Sequence, residues 1–310
     1  TAAGHELRLR QEYFFASASL QDLLRRHKTQ HGELGSLADY VSIQLNDTHP
    51  AIAVPELMRL LIDVHGMPWE LAWTITTSVF NYTNHTLLPE ALETWPVPLM
   101  ERLLPRHMQI IYLINALHLD AQREAGRGDA GFLSSVSLIE ENHSRRVRMG
   151  HLAFIGSRRV NGVSALHTEL MRRTVFRDLN TIHPERIVNK TNGITFRRWL
   201  FPANPALTAL ITDAIGPQFQ DDATRLEALV PLADDPSFRE RYREVRRANK
   251  GALARLVAER LGVGVDPEAL FDVQIKRIHE YKRQLLNILE TIALYNAVRA
   301  HPTRPWVPRV

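Results

Sequence analysis

The sequence predicts an α/β fold, rich in helix and divided into two domains. Three observations carry this. Short β-type runs, "YVSIQL" first among them, alternate with longer segments whose apolar residues recur at helical spacing. The character changes near residue 195, separating 1–195, where mixed elements carry polar clusters, from 196–310, where helices are longer and more regular. At 310 residues, 45% of them hydrophobic and 23% charged, the chain can bury a large core or two.

In chain order, Glu6 to His27 reads as an amphipathic helix ended by "GELGS". Val41, Ile43 and Leu45 alternate as a strand does. Pro55 and Pro68 suit the first turns of two helices, and another runs from Pro105 to Arg123 with Ile110, Ile114 and Leu117 on one face. After the apolar pair Ile187-Val188 the chain turns at Asn192-Gly193, which tolerate positive φ. The next helix has Asn204 as N-cap, Pro205 in its first position, Leu207, Leu210, Ile211 and Ala214 on its apolar face, and Gly216 as its stop. A charged helix spans Pro236 to Leu261, "LFDVQIKR" follows as a strand, and a helix from Ile278 to Ala300 carries the stripe Leu285, Ile288, Leu289, Ile292 and Tyr295. The chain opens mid-helix and closes on "RPWVPRV", a strand beginning, as a segment of a longer protein would.

Composition narrows the function. Cysteine is absent, which excludes disulfides, Cys-ligated zinc and a thiol nucleophile and fits a reducing, cytoplasmic setting. No apolar run is long enough to span a bilayer, so no membrane partner is expected. The net charge is +4 and Arg dominates the basic residues, but these are spread along the chain beside acids, as in "FRERYREVRRANK". That is a solvated surface and not a nucleic-acid footprint. There is no H-E-x-x-H, no metal-ligand spacing, no phosphate loop and no nucleophile elbow. Asn-x-Ser/Thr matches begin at Asn46, Asn81, Asn84, Asn142 and Asn189, but without a secretory leader they do not argue for glycosylation.

Three polar clusters remain. In "QLNDTHP", Asp47 and His49 share a face of an extended chain, so the carboxylate can orient the ring; the plainer alternative makes Asp47 or Thr48 a helix cap. In "FNYTNHTLLPEALETWP", amides, hydroxyls and His85 crowd together, with Glu93 eight residues on; a polar helix end is the alternative. In "VNKTNGITFRRWL", Asn192, Arg197, Arg198 and Trp199 suit either a turn with surface charge or a ligand cleft. Amide, hydroxyl and imidazole groups together suit a sugar, whose neutral hydroxyls want many directional partners.

These stretches, with "LRLRQEYFFASASLQDLLRRH", "LLPRHMQIIYLIN", "VNGVSALHTELM" and "FDVQIKRIHEYKRQLLN", stand in the order they have in the α-glucan phosphorylases, the glycogen, starch and maltodextrin phosphorylase family, and the chain resembles the middle of such a protein. The resemblance implies a two-domain glycosyltransferase B-type fold of Rossmann-like domains, partly covered here. Residues 1–195 would be the C-terminal part of the N-terminal domain and 196–310 the start of the C-terminal, cofactor-binding one. It implies phosphorolysis of terminal α-1,4-glucosidic bonds to glucose 1-phosphate, pyridoxal 5'-phosphate as cofactor, α-1,4-glucan and inorganic phosphate as partners, and a homodimer. In the family the active site lies in the interdomain cleft.

Residue by residue, His85 resembles the catalytic histidine that holds the glucosyl 6-hydroxyl. Asn192 resembles the other partner of that hydroxyl, and Val163 a backbone contact to the sugar. Asp47, His49 and Glu93 resemble residues lining the pocket on the sugar's β side, and Trp199 an aromatic residue packed against the cofactor. Phe196 departs from the pattern, standing where the family often has Pro. The lysine that carries the cofactor lies beyond Val310 in the family, so this segment alone is expected to be inactive. The alternative reading is a non-catalytic carbohydrate-binding or degenerate phosphorylase segment.

Overall fold

The computed structural model describes residues 2–88, 92–141, 144–279 and 282–310. The Asn142 match and two residues of the last predicted helix, 280 and 281, lie outside them. The chain forms two compact units, Thr1–Gly193 and Ile194–Val310.

The first unit is the mixed α/β body that the sequence predicts. Its strands in chain order are β1 (Ile43–Asn46), β2 (Phe80–Thr83), β3 (Thr94–Pro96), β4 (Ile139–Glu140), β5 (Arg146–Arg148), β6 (Val160–Gly162) and β7 (Ile187–Asn189). β1, β2, β6 and β7 form an all-parallel sheet in that order. β3, β5 and β4 form a small antiparallel one.

Register explains the parallel sheet. Leu45, Tyr82, Val160 and Ile187 pair successively across its four strands, and all are buried. Since side chains alternate, the next position brings Asn46, Thr83 and Asn161 into a polar row on the opposite face. There Thr83 Oγ1 donates to Asn161 Oδ1 at 2.8 Å, and Gln44 Nε2 reaches both groups at 2.8 and 3.2 Å. Gly162 lies so close to the helix Ala165–Arg173 that a Cβ there would stand 2.8 Å from the Thr168 Cα, and nearer still to its hydroxyl. The glycine therefore lets the end of β6 seat against that helix.

The core packs around this sheet, and three of the helices that bury it meet at one junction. The helix Ala2–His31 is longer than the sequence suggests and buries Leu9, Leu20 and Leu24. The helix Ala53–Arg59 is buried from Ala53 to Met58 and begins two residues before Pro55, after a 3-10 turn at His49–Ile52. The helix Pro105–Glu124 buries Ile110 and Ile114, whereas Leu117 is exposed. At their junction Glu56, with no exposed surface, accepts from Ser17 Oγ at 2.6 Å and from Arg59 at 2.8 and 2.9 Å, and bonds His107 Nε2 at 2.5 Å.

In the second unit Asn204 caps the helix Pro205–Ile215, accepting from the Leu207 N–H at 3.2 Å, and Gly216 ends it at φ 83°. Phe196 packs with Phe201 and the buried Phe219, ring centroids 6.1–6.3 Å apart. The charged helix spans Pro236–Leu261, capped by Asp235 and stopped by Gly262 at φ 67°.

Two expectations fail here. "LFDVQIKR" is not a strand: only Leu270 bridges, to Arg309, and Val273 and Ile275 are exposed. Backbone bonds from Leu270 and Asp272 to Pro308 and Val310 pair only the start of the run, and alternation alone does not extend a ladder. The last helix begins at Gln284 and not near Ile278; its apolar stripe, Leu285 to Tyr295, is at least half exposed.

Candidate functional site

The predicted site residues of the first unit other than Glu93, which precedes β3, gather where four parallel strands end at one edge. Asp47, Thr48 and His49 follow β1, Asn84 and His85 follow β2, Val163 follows β6, and Asn192 follows β7 by three residues. In parallel α/β sheets ligands bind outside the carboxyl ends of the strands. Backbone bonds tie these loops together: Asp47 N to Thr83 O at 3.1 Å, Asn84 N to Asn161 O at 3.0 Å, and Asn192 N to Val163 O at 2.9 Å.

The crowded polar run divides into structural and open groups. Asn81 Nδ2 donates to Ser42 Oγ at 3.0 Å, Thr83 belongs to the polar row, and Asn84 is fully buried with Nδ2 on the Tyr82 hydroxyl at 3.1 Å. Burial also removes Asn84 as a glycan acceptor. His85 is exposed. Its Nε2 lies 2.6 Å from Asn46 Oδ1, so the Nε2 proton is donated there and Nδ1 is left as an acceptor for a ligand hydroxyl.

Asp47 adopts φ 74°, a left-handed conformation that costs a non-glycine residue energy and that the sequence did not signal. The chain there is not extended, so Asp47 is not what orients His49. His49 Nδ1 lies 3.5 Å from Glu93 Oε1 instead, and Glu93's hydrogen bond leads the causes that raise the imidazole pKa. Nor does Asp47 or Thr48 cap the following 3-10 turn with its side chain; Asp47 Oδ1 accepts from the adjacent Thr48 N–H at 2.6 Å.

Val163 has little backbone capacity left. Its N–H donates to His167 Nδ1 at 3.1 Å and its carbonyl accepts from Asn192, leaving that oxygen's second lone pair. The Asn192 side chain is exposed and makes no hydrogen bond among the described residues. Asn192 and Gly193 do not take the positive φ expected of a tight turn.

Trp199 belongs to the second unit. It is 62% exposed, at the end of the short helix Phe196–Trp199, with the Arg198 guanidinium 5.0 Å from its ring centroid. An open aromatic face beside a cation suits a planar anionic group such as the implied cofactor.

Sequence reasoning missed Asn46, which fixes the His85 tautomer, and Glu12. Glu12 comes from the helix Ala2–His31, and one ligand atom from each of Glu12, His49 and Glu93 falls within 4.8 Å of the others. A cavity of about 630 Å³ is lined by Glu12 and His49 together with Gln44 and Phe80. No local pattern marks a carboxylate whose partners are far away in sequence.

Comparison with known proteins shows the family. The family model for carbohydrate phosphorylase matches residues 1–310. The chain is 53% identical to glycogen phosphorylase from Haemophilus influenzae and 48% identical to the brain form from Bos taurus, each over 99% of the chain and 37% of the relative. It is 48% identical to glycogen phosphorylase from Chlamydia trachomatis over 96% of the chain and 36% of that protein. The chain thus spans little more than a third of the length of these relatives.

Proposed function

Since the chain belongs to the carbohydrate phosphorylase family, we propose that the full-length protein cleaves terminal α-1,4-glucosidic bonds of a glucan with inorganic phosphate, releasing glucose 1-phosphate. The observation that carries this is the gathering of His85, Val163 and Asn192 at the carboxyl edge of one parallel sheet.

His85 Nδ1 accepts the proton of the glucosyl 6-hydroxyl while Nε2–H stays on Asn46, and the free amide of Asn192 meets the same hydroxyl. This anchors the ring and orients its anomeric carbon. The His85 carbonyl faces the positive charge that develops there in an oxocarbenium-like transition state. Asp47, His49 and Glu93 form the wall on the β side. The first unit is read as part of the N-terminal phosphorylase domain and the second as the start of the cofactor-binding domain. Trp199 offers its open face to pyridoxal 5'-phosphate, whose phosphate group, when bound, supplies proton transfer to the reacting phosphate. The working form is a cytoplasmic homodimer.

Two experiments test this reading. Borohydride fixes the cofactor covalently to its lysine, so the intact mass of the reduced protein should carry one pyridoxal phosphate; a protein without the adduct argues against the cofactor. Asn192→Ala should erode the preference for glucosyl over 6-deoxyglucosyl substrates by about tenfold, the worth of one neutral hydrogen bond. Equal losses on both substrates would remove Asn192 from the 6-hydroxyl.

A further inference from the structure

Glu12 has only 5% of its side chain exposed, and three segments fix its surroundings. Arg8, one turn earlier, donates from Nε to Glu12 Oε1 at 2.6 Å. From the turn after β1, His49 Nδ1 lies 3.9 Å from the same oxygen. From just before β3, a Glu93 carboxyl oxygen lies within 4.8 Å of one from Glu12. Asp47 adds negative charge near His49. Glu12 Oε2 and Glu93 Oε2 are both buried, and neither has a donor among the described residues.

Two carboxylates held this close cannot both remain ionised out of water. The His49 ring faces only the Oε1 atoms, so the two buried Oε2 atoms still lack a positive partner, which is either a proton or a metal ion. Arg8 already places its charge on Glu12, and a dication would sit against that guanidinium. A proton also supplies the donor that the two orphan oxygens lack.

We infer that Glu12 is a positioning residue of the site and works as a neutral acid, its carboxyl proton donated to Glu93 so that the helix Ala2–His31, the turn after β1 and the segment before β3 are held together around His49. Its consequence for turnover rests on the reading of Asp47, His49 and Glu93 as the wall of the sugar pocket; the protonation does not. Burial first, and the Glu93 charge second, push the Glu12 carboxyl up to about 8. At neutral pH the pair therefore carries less negative charge than two ionised carboxylates would.

Between the ordinary carboxylate range, near 4.5, and about 8, folded Glu12 holds a proton that the unfolded chain has lost. Rising pH therefore lowers the folded-to-unfolded ratio, by up to about tenfold per unit, until the loss levels off near 8. Above that pH two like charges face each other and the wall loosens.

The test uses the full-length protein. Infrared difference spectra should show the C=O stretch of a protonated carboxylic acid at pH 7, disappearing as pH rises through about 8. Glu12→Gln, whose amide accepts from Arg8 and donates to Glu93, should lack that band. The KM for glucan should rise several-fold between neutral and alkaline pH in the wild type and stay level in Glu12→Gln, whereas Glu12→Ala should show a raised KM throughout. A wild type without the band, or a band that survives in Glu12→Gln, overturns the proposal. So does one equivalent of a divalent metal that a chelator removes and that Glu12→Gln fails to bind. The infrared measurement does not depend on turnover, so it decides the protonation even if the protein proves not to be a phosphorylase.

Discussion

Replacing His85 by alanine in the full-length protein is expected to lower kcat/KM for phosphorolysis by about two to three orders of magnitude, the scale set by losing one directed hydrogen-bond partner in a closed site. The fold should survive. His85 is exposed, and its side chain bonds only Asn46 among the described residues. Circular dichroism and melting temperature should match the wild type, which separates a lost contact from a lost structure. Unchanged turnover would take His85 out of the pocket.

The second large effect is on stability. Glu56→Ala removes the acceptor on which Ser17, Arg59 and His107 converge at the junction of three helices. The loss should be about 3 kcal/mol, because Ser17 and His107 are left buried without their acceptor while Arg59 keeps part of its solvent contact. Burial pulls the Glu56 carboxyl up, but the bonds from Arg59, His107 and Ser17 outweigh it and hold it down at about 2. A carboxyl lowered in the fold stabilises above its unfolded value, near 4.5, and loses that contribution as pH falls toward 2. Denaturant titrations should therefore show the gap between wild type and Glu56→Ala fully open at pH 7 and narrowing below pH 4. A gap that is small, or independent of pH, would mean that the network contributes little.

Much of the secondary structure was legible because local rules decide it. Asn204, Pro205 and Gly216 bound a helix by capping and by φ alone, and Asp235 to Gly262 follow the same logic. The alternation of Ile43 and Leu45 survives as β1 because β2 lies beside it. The "LFDVQIKR" run offers the same local signal, but its pairing is confined to Leu270 and Asp272 against Pro308 to Val310, too little to make a strand. In the last helix the apolar stripe is present in the sequence, but no described element covers it, so the periodicity identified a helix without saying what it packs on.

The site was legible as polar clusters and not as contacts. Local spacing suggested that Asp47 orients His49, but a left-handed Asp47 breaks the extended geometry on which that rested, and Glu93, 44 residues away, takes the place. The Asn46 partner of His85 is 39 residues away. Such pairs are fixed by strand register, which a hydrophobic pattern implies only once the sheet order is known. The Asn81 to Thr86 run shows the limit from the other side, since most of its groups are used within the fold and His85 is the one left open to a ligand.

The most direct test of the account is to supply the full-length protein with an α-1,4-glucan and inorganic phosphate and to follow the products by NMR. The account predicts phosphate-dependent release of glucose 1-phosphate in the α configuration, with none formed when phosphate is omitted. Glucan that binds without reacting, or free glucose released by water, would contradict it.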